Sequence, residues 1–164
     1  MTDAEFCELH DAYAVRLWAY VFRATGDASS AEDIVQEAFY RVLTARRLNN
    51  VSEQHRRRYL FTVATNLIRR RSRLRAEIPY DDVAGLEQPP SGVDQRLDVE
   101  RALGGLTAVE RQSLWLSHVE GWTHREIAAM MGYREGSLRH LISRAKRRFI
   151  AAFVERNSSD SESQ

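Results

Sequence analysis

WTHREIAAMMGYREGSLRHLISRAKRRF, residues 122–149, holds two helical patterns separated by one glycine, and it decides what kind of molecule the rest of the chain builds. The first pattern opens on Thr123 with Glu126 three residues later, a pairing in which each side chain satisfies a free N–H at a helix start. Ile127, Ala128 and Met131 fall on one face, and Gly132 stands where a helix ends by turning left-handed at little cost. In the second pattern Leu138, Leu141, Ile142, Ala145 and Phe149 recur at steps of three and four, a single apolar stripe.

Gly136, Arg139, His140, Ser143, Arg144 and Arg147 project away from that stripe. The glycine turn, the apolar anchors and the small residue early in the second helix resemble the helix-turn-helix, whose second helix enters the DNA major groove. An ordinary amphipathic hairpin has the same periodicity; the basic outer face is what separates the two readings.

The chain has 164 residues and a formal charge of +1, room for one medium or two small domains. Its charges are segregated. Arg41 to Arg75 carries eleven arginines against Glu53, Glu77 to Glu100 carries seven acids against Arg96, and Arg134 to Arg148 carries six basic residues against Glu135. Two basic blocks around an acidic one suit two contacts with a polyanion, where plain solvated helix faces would mix the signs. The single cysteine, Cys7, cannot close an internal disulfide and suits a reducing compartment. Cys7 and His10 are not followed by a second such pair, so no metal site is expected. Without a signal peptide or a long apolar run, the chain is expected to be cytoplasmic, with no membrane insertion.

In chain order, Phe6, Leu9, Tyr13, Leu17 and Tyr20 predict a first helix ending near Gly26. Ser29 and Glu32 are expected to open a second, to about Ala45, burying Ala31, Ile34, Val35, Ala38 and Val42 and exposing Asp33, Gln36, Glu37 and Tyr40. Ser52 is expected to cap a third, to about Arg75. Its inner stripe is Leu60, Val63, Ala64 and Leu67; the opposite face lines up Arg58, Thr62, Thr65, Arg69 and Arg73, with Asn66 and Tyr59 on one flank. Arginines and hydroxyls suit phosphate oxygens, and an aromatic beside an amide can hold an unstacked base. Residues 76–98, with Pro79, Pro89, Pro90 and scattered acids, predict a linker. A short helix around Leu97, Leu103 and Leu106 and another from Thr107, carrying Val109, Leu114, Trp115 and Val119, lead into the opening stretch. The polar residues 157–164 are expected to be a disordered tail. The fold class is therefore all-α, with two small helical domains, 1–75 and 99–156, joined by a flexible acidic linker.

No phosphate loop, nucleophile elbow or matched carboxylate pair occurs, and the five histidines are scattered. No enzyme activity, cofactor, metal or small-molecule substrate is expected.

Three motifs in order, DIVQEAFYRVL at 33–43, RRYLFTVATNLIRRR at 57–71 and the long run LTAVERQSLWLSHVEGWTHREIAAMMGYREGSLRHLISRAKRRF at 106–149, resemble bacterial RNA polymerase sigma factors of the extracytoplasmic-function group. The resemblance spans nearly the whole chain. It implies that 1–75 is a region 2 domain that binds core RNA polymerase and recognises and melts the minus-ten element, and that 99–156 is a region 4 domain reading the minus-thirty-five element. Asp33, Gln36, Glu37 and Phe39 would then dock on the polymerase. Tyr59 to Asn66 is similar to the family's W-L-Y-x-I-A-x-N run, with Tyr59 in place of Trp, and with the loop from about Leu48 to His55 would hold a flipped base of the melted non-template strand. Arg56, Arg58, Arg69 and Arg70 would steer phosphate, with Tyr59, Thr62, Thr65 and Asn66 completing the minus-ten set. Arg134, Gly136, Ser137, Arg139, His140, Ser143, Arg144 and Arg147 would form the duplex-reading set. The linker would follow the polymerase's RNA exit path. Many relatives are held inactive by an anti-sigma factor, which is thus a further candidate partner.

Relatives often carry Pro-Val-Gly-Thr-Val before the recognition helix; here Arg134 to Leu138 replace it, and His140 replaces a small residue. The alternative function is a stand-alone dimeric helix-turn-helix regulator of duplex DNA, which needs a dimer surface and no single-strand pocket. A protein-binding adaptor with solvated arginines would show no dependence on DNA.

Overall fold

The computed structural model describes the backbone of residues 1–77, 99 and 102–160, with side chains for 1–73, 99 and 102–154. Most of the expected linker, Leu97 and the last four residues of the expected tail lie outside that set. The chain divides into two compact units, Met1–Gly85 and Leu86–Gln164, and no strand occurs among the described residues.

Unit 1 is built on three helices. In α1 (Asp3–Thr25) Thr2 and Glu5 form a capping box, and Gly26 ends the helix at φ 71°. That left-handed turn is one a side chain with a Cβ resists. Leu9, Tyr13, Leu17, Tyr20, Val21 and Ala24 are buried at the three-four spacing that predicts the helix. The second helix, α2 (Ala28–Thr44), starts earlier than Ser29 suggests: Asp27 is the cap, its carboxylate accepting from the Ser30 amide at 2.9 Å. With the chain already reversed at Gly26, Asp27 is the first side chain able to reach the free amides, and Ser30 turns inward. Ala31, Ile34, Ala38, Phe39 and Val42 are buried, and Val35 is half-buried. A 3-10 turn, Arg46–Leu48, leads to α3 (Glu53–Glu77), whose start is tied by Ser52 Oγ accepting from the His55 amide at 3.3 Å. The interior of α3 is wider than its predicted stripe. Arg56, Leu60, Phe61, Val63, Ala64, Thr65 and Ile68 are all buried, because α3 packs on both α1 and α2, whereas Leu67 is half-exposed.

Unit 2 holds α4 (Ala108–His118), α5 (His124–Met131) and α6 (Glu135–Asp160). Capping boxes start α4 at Thr107 and Glu110 and α5 at Thr123 and Glu126. The inner face of α4 is offset from expectation. Glu110, Gln112, Ser113 and Leu116 are buried, Val109, Leu114 and Trp115 are half-buried, and Val119 is exposed. The cause is polar: the Glu110 carboxylate faces α6, and Ser113 Oγ donates to Met131 Sδ of α5 at 3.5 Å. Trp122 is buried, after the chain turns at Gly121 with φ 69°. Ile127, Ala128 and Met131 of α5 pack on Leu138, Ile142 and Ala145 of α6 with Gly132 at φ 72° between them, and Leu141 and Phe149 are half-buried. α6 continues to Asp160, beyond the point near Arg156 at which the sequence places its end.

Candidate nucleic-acid interface

On α3 the exposed side chains recur as Arg58, Asn66, Arg70 and Arg73, with Thr62 and Arg69 half-exposed between them. Successive steps of three and four put these on one flank, so four arginines, an amide and a hydroxyl share one surface. Thr62 Oγ1 also donates to the Arg58 carbonyl at 2.7 Å, which orients it along the helix.

Two predicted members of this surface belong to the interior. Thr65 is fully buried; its hydroxyl bonds Tyr20 Oη at 2.7 Å and donates to the Phe61 carbonyl at 2.8 Å. Steps of 58, 62, 65, 69 look collinear on a helical wheel, but packing against α1 takes the fourth-turn hydroxyl inward. Arg56 is 7% exposed; it pairs with Glu5 at 2.7 Å and donates to the Leu48 carbonyl at 3.4 Å. The guanidinium thus ties α1 and the 3-10 turn to α3. The Thr2 amide and then Arg56 pull the Glu5 carboxyl down to about 2, so the pair is ionic at any physiological pH.

Tyr59 is half-buried and carries a neighbour that the sequence does not single out. The Arg47 guanidinium lies over its ring, 4.5 Å from the centroid. Arg41, Thr44, Ala45, Arg46, Arg47 and Tyr59 line a shallow recess of about 420 Å³ there. Only the adjacent arginines after the second helix could have pointed to it, and their distance in sequence from Tyr59 conceals the contact.

On α2, Gln36 is exposed, Asp33 faces Arg71 of α3 at 3.3 Å and Glu37 holds Arg41 at 2.7 Å. Both are surface pairs, readily exchanged for another partner. Phe39 is inside, edge-on to Phe6 at 6.0 Å and against His10 at 4.9 Å, and so cannot itself dock on a partner. Tyr40 and Leu43, 62% and 47% exposed, are the apolar groups on that outer face.

In unit 2, Arg134, Gly136, Ser137, Arg139, His140, Ser143, Arg144 and Arg147 are all exposed, in the loop before α6 and on its first four turns. Arg139 rests on Glu135 at 3.1 Å as an i,i+4 pair. Arg144 lies 3.6 Å and Arg148 3.0 Å from Glu110. Burial opposes ionisation of Glu110, but the Thr107 amide and hydroxyl together with Arg148 and Arg144 outweigh it, and its carboxyl is held below the usual range. Arg148 therefore clamps α6 to α4, while Arg144, 63% exposed, is half engaged and can turn outward. The dipole of α6 makes its N-terminus a further anion-attracting end.

The family described as Sigma-70 region 2 matches residues 9–77, and that described as Sigma-70, region 4 matches 96–149. The ECF RNA polymerase sigma factor SigL of Mycobacterium tuberculosis is 35% identical over 147 residues, covering 85% of this chain and 83% of the relative. SigE of Mycolicibacterium smegmatis, also an ECF RNA polymerase sigma factor, is 32% identical over 93% of this chain and 63% of its own length. The sigma factor RpoE of Bartonella quintana, solved in complex with the anti-sigma factor NepR, has the same fold, with a TM-score of 0.67 at 21% identity over 90% of this chain and 95% of that one.

Proposed function

The chain belongs to the sigma-70 family, in its extracytoplasmic-function group, and from that premise we propose how its two helical units divide promoter recognition. It is a sigma factor that binds core RNA polymerase, directs it to specific promoters and helps open the DNA; the stand-alone dimeric regulator is set aside. The region 2 domain is assigned to 1–75, the linker to 76–98 and the region 4 domain to 99–156.

The exposed α3 surface carries the minus-ten reading. Arg58, Arg69 and Arg70 steer the phosphates of the melted non-template strand, and Tyr59, Thr62 and Asn66 receive its unstacked bases. Capture of a base that can bind only when unpaired offsets the cost of unpairing, so strand opening needs no nucleotide hydrolysis. Arg56 and Thr65 hold the helix in place from inside. The α2 surface of Asp33, Gln36 and Glu37, widened by Tyr40 and Leu43 and backed by buried Phe39, docks on the polymerase. Arg139, His140 and Ser143, in the second and third turns of α6, face the bases of the minus-thirty-five duplex; Arg134, Gly136, Ser137, Arg144 and Arg147 address its backbone.

No bond chemistry is assigned to the chain itself, and it works in the cytoplasm. No described helix is long and apolar enough to cross a membrane. An anti-sigma protein is its further partner, covering the surfaces that polymerase uses; the Bartonella relative was solved in complex with an anti-sigma factor.

The single observation that carries this assignment is the arginine, amide and hydroxyl surface of α3 beside a half-exposed tyrosine. Run-off transcription on genomic fragments tests it. Core polymerase with the full chain is expected to start at a defined promoter and core alone to start nowhere in particular. Unchanged start-site choice sinks the proposal.

A further inference from the structure

We propose that Arg47 is an exchangeable cap on the Tyr59 ring: its guanidinium occupies the face that an unstacked base takes, and on binding moves to that nucleotide's phosphate. This rests on the minus-ten assignment of α3 and names how one subsite of it works.

The backbone beneath the cap is anchored. Leu48, next to Arg47 in the 3-10 turn, is 1% exposed, and its carbonyl accepts from buried Arg56. The Arg47 side chain itself is exposed, and among the described residues no acid holds it. It can therefore swing while its Cα stays beside the recess. A planar guanidinium 4.5 Å from a ring centroid fills the position a stacked base would fill, so the two exclude each other. An exposed cation over an aromatic face is worth a factor of about 2–5 in binding, and a stacked base about 5–150. A base wins the exchange, but a weak or misplaced one wins by little, so the cap also acts as a filter. Once displaced, Arg47 is not left without a partner. Arg41 and Arg46 line the same recess, and among the described residues only Arg41 is already neutralised, by Glu37 at 2.7 Å. The recess thus presents an aromatic floor and two uncompensated cations, the complement of a base with its phosphate, and its roughly 420 Å³ is enough for one nucleotide.

The test uses holoenzyme reconstituted from core polymerase and the full chain. Affinity is measured for forked promoter DNA in which an abasic site is moved one position at a time along the non-template strand of the minus-ten element. For the wild type, one position is expected to lower affinity by a factor of about 5–150. Tyr59→Leu removes that dependence; Tyr59→Phe, which keeps the ring and the packing, retains it. Arg47→Ala keeps the dependence or strengthens it by about 2–5-fold, the cap having gone. It also lowers the salt slope by about 0.7, the phosphate contact having gone with it. Loss of the abasic dependence in Arg47→Ala would mean that arginine holds the base, and overturns the cap. So does retention of the dependence in Tyr59→Leu, or a salt slope in Arg47→Ala equal to the wild type's. A wild-type holoenzyme that selects promoters yet shows no abasic dependence overturns the cap alone; one that selects no promoter overturns the minus-ten assignment beneath it.

Discussion

Arg56 and Arg58 stand two places apart in one arginine triplet and have opposite fates. Arg58 is exposed on the outer face of α3, while Arg56 is buried against Glu5. Composition makes the triplet look uniformly basic and phosphate-seeking, and nothing local separates its members. The difference comes from Glu5, about fifty positions away in the chain, which only α1 packing on α3 brings within 2.7 Å. The same holds for Thr65, claimed by Tyr20. The Glu5 carboxyl falls from an ordinary 4.5 to about 2 in the folded chain. A carboxyl lowered on folding adds stability above its unfolded value and loses it as pH falls toward the folded one. Glu5→Gln is therefore expected to lower the melting temperature near neutral pH, with the deficit shrinking below pH 4.5 and vanishing near 2. Thermal unfolding of both chains across that range measures it; a deficit constant with pH would mean that Glu5 acts through packing.

The turn between α5 and α6 belongs to the scale of the element. Gly132 carries φ 72°, and the Thr123 and Glu126 capping box closes the other end of an eight-residue α5. So short a helix has little cooperativity of its own and depends on its caps and on Ile127, Ala128 and Met131. Gly132→Ala is expected to destabilise unit 2 by about 1–2 kcal/mol, the cost of a left-handed residue with a Cβ, read from denaturant unfolding. A shift under about 0.3 kcal/mol would show that the turn relaxes to another shape. These caps are legible in sequence because they act across three or four residues. The start of α2 is less so: Asp27, Ser29 and Ser30 are all competent caps, and the tight reversal at Gly26 selects Asp27. The offset of α4 is hidden for a related reason. Burial of Glu110 depends on Arg148 on another helix, and a lone glutamate in sequence reads as exposed.

At the scale of the molecule, two units with separate cores carry the two basic surfaces. Substitutions in one are expected to act independently of those in the other. Arg139→Ala should relax the preference for the upstream element by about 1–3 kcal/mol if Arg139 reads a base edge, and weaken all sequences alike if it contacts phosphate. Asn66→Ala should leave that preference unchanged and reduce strand opening, followed by the reactivity of unpaired thymines. In the double variant the two losses should add to within about 0.5 kcal/mol, as for sites that share no partner. A larger coupling would show that duplex reading and opening are one event.

The sequence by itself determined the helices, the capping boxes at Thr107 and Thr123 and the family, since these rest on periodicity, hydrogen-bonding geometry within one turn and the order of motifs along the chain. It also determined that the basic charge is gathered into two blocks. Tertiary structure alone decided which members of each block face outward: Arg56 and Thr65 turn in, Arg148 clamps α6 to α4, and Arg47 comes to lie on Tyr59. Those outcomes depend on contacts between residues roughly ten to fifty positions apart, where a charge or hydroxyl is placed by whichever helix packs against it.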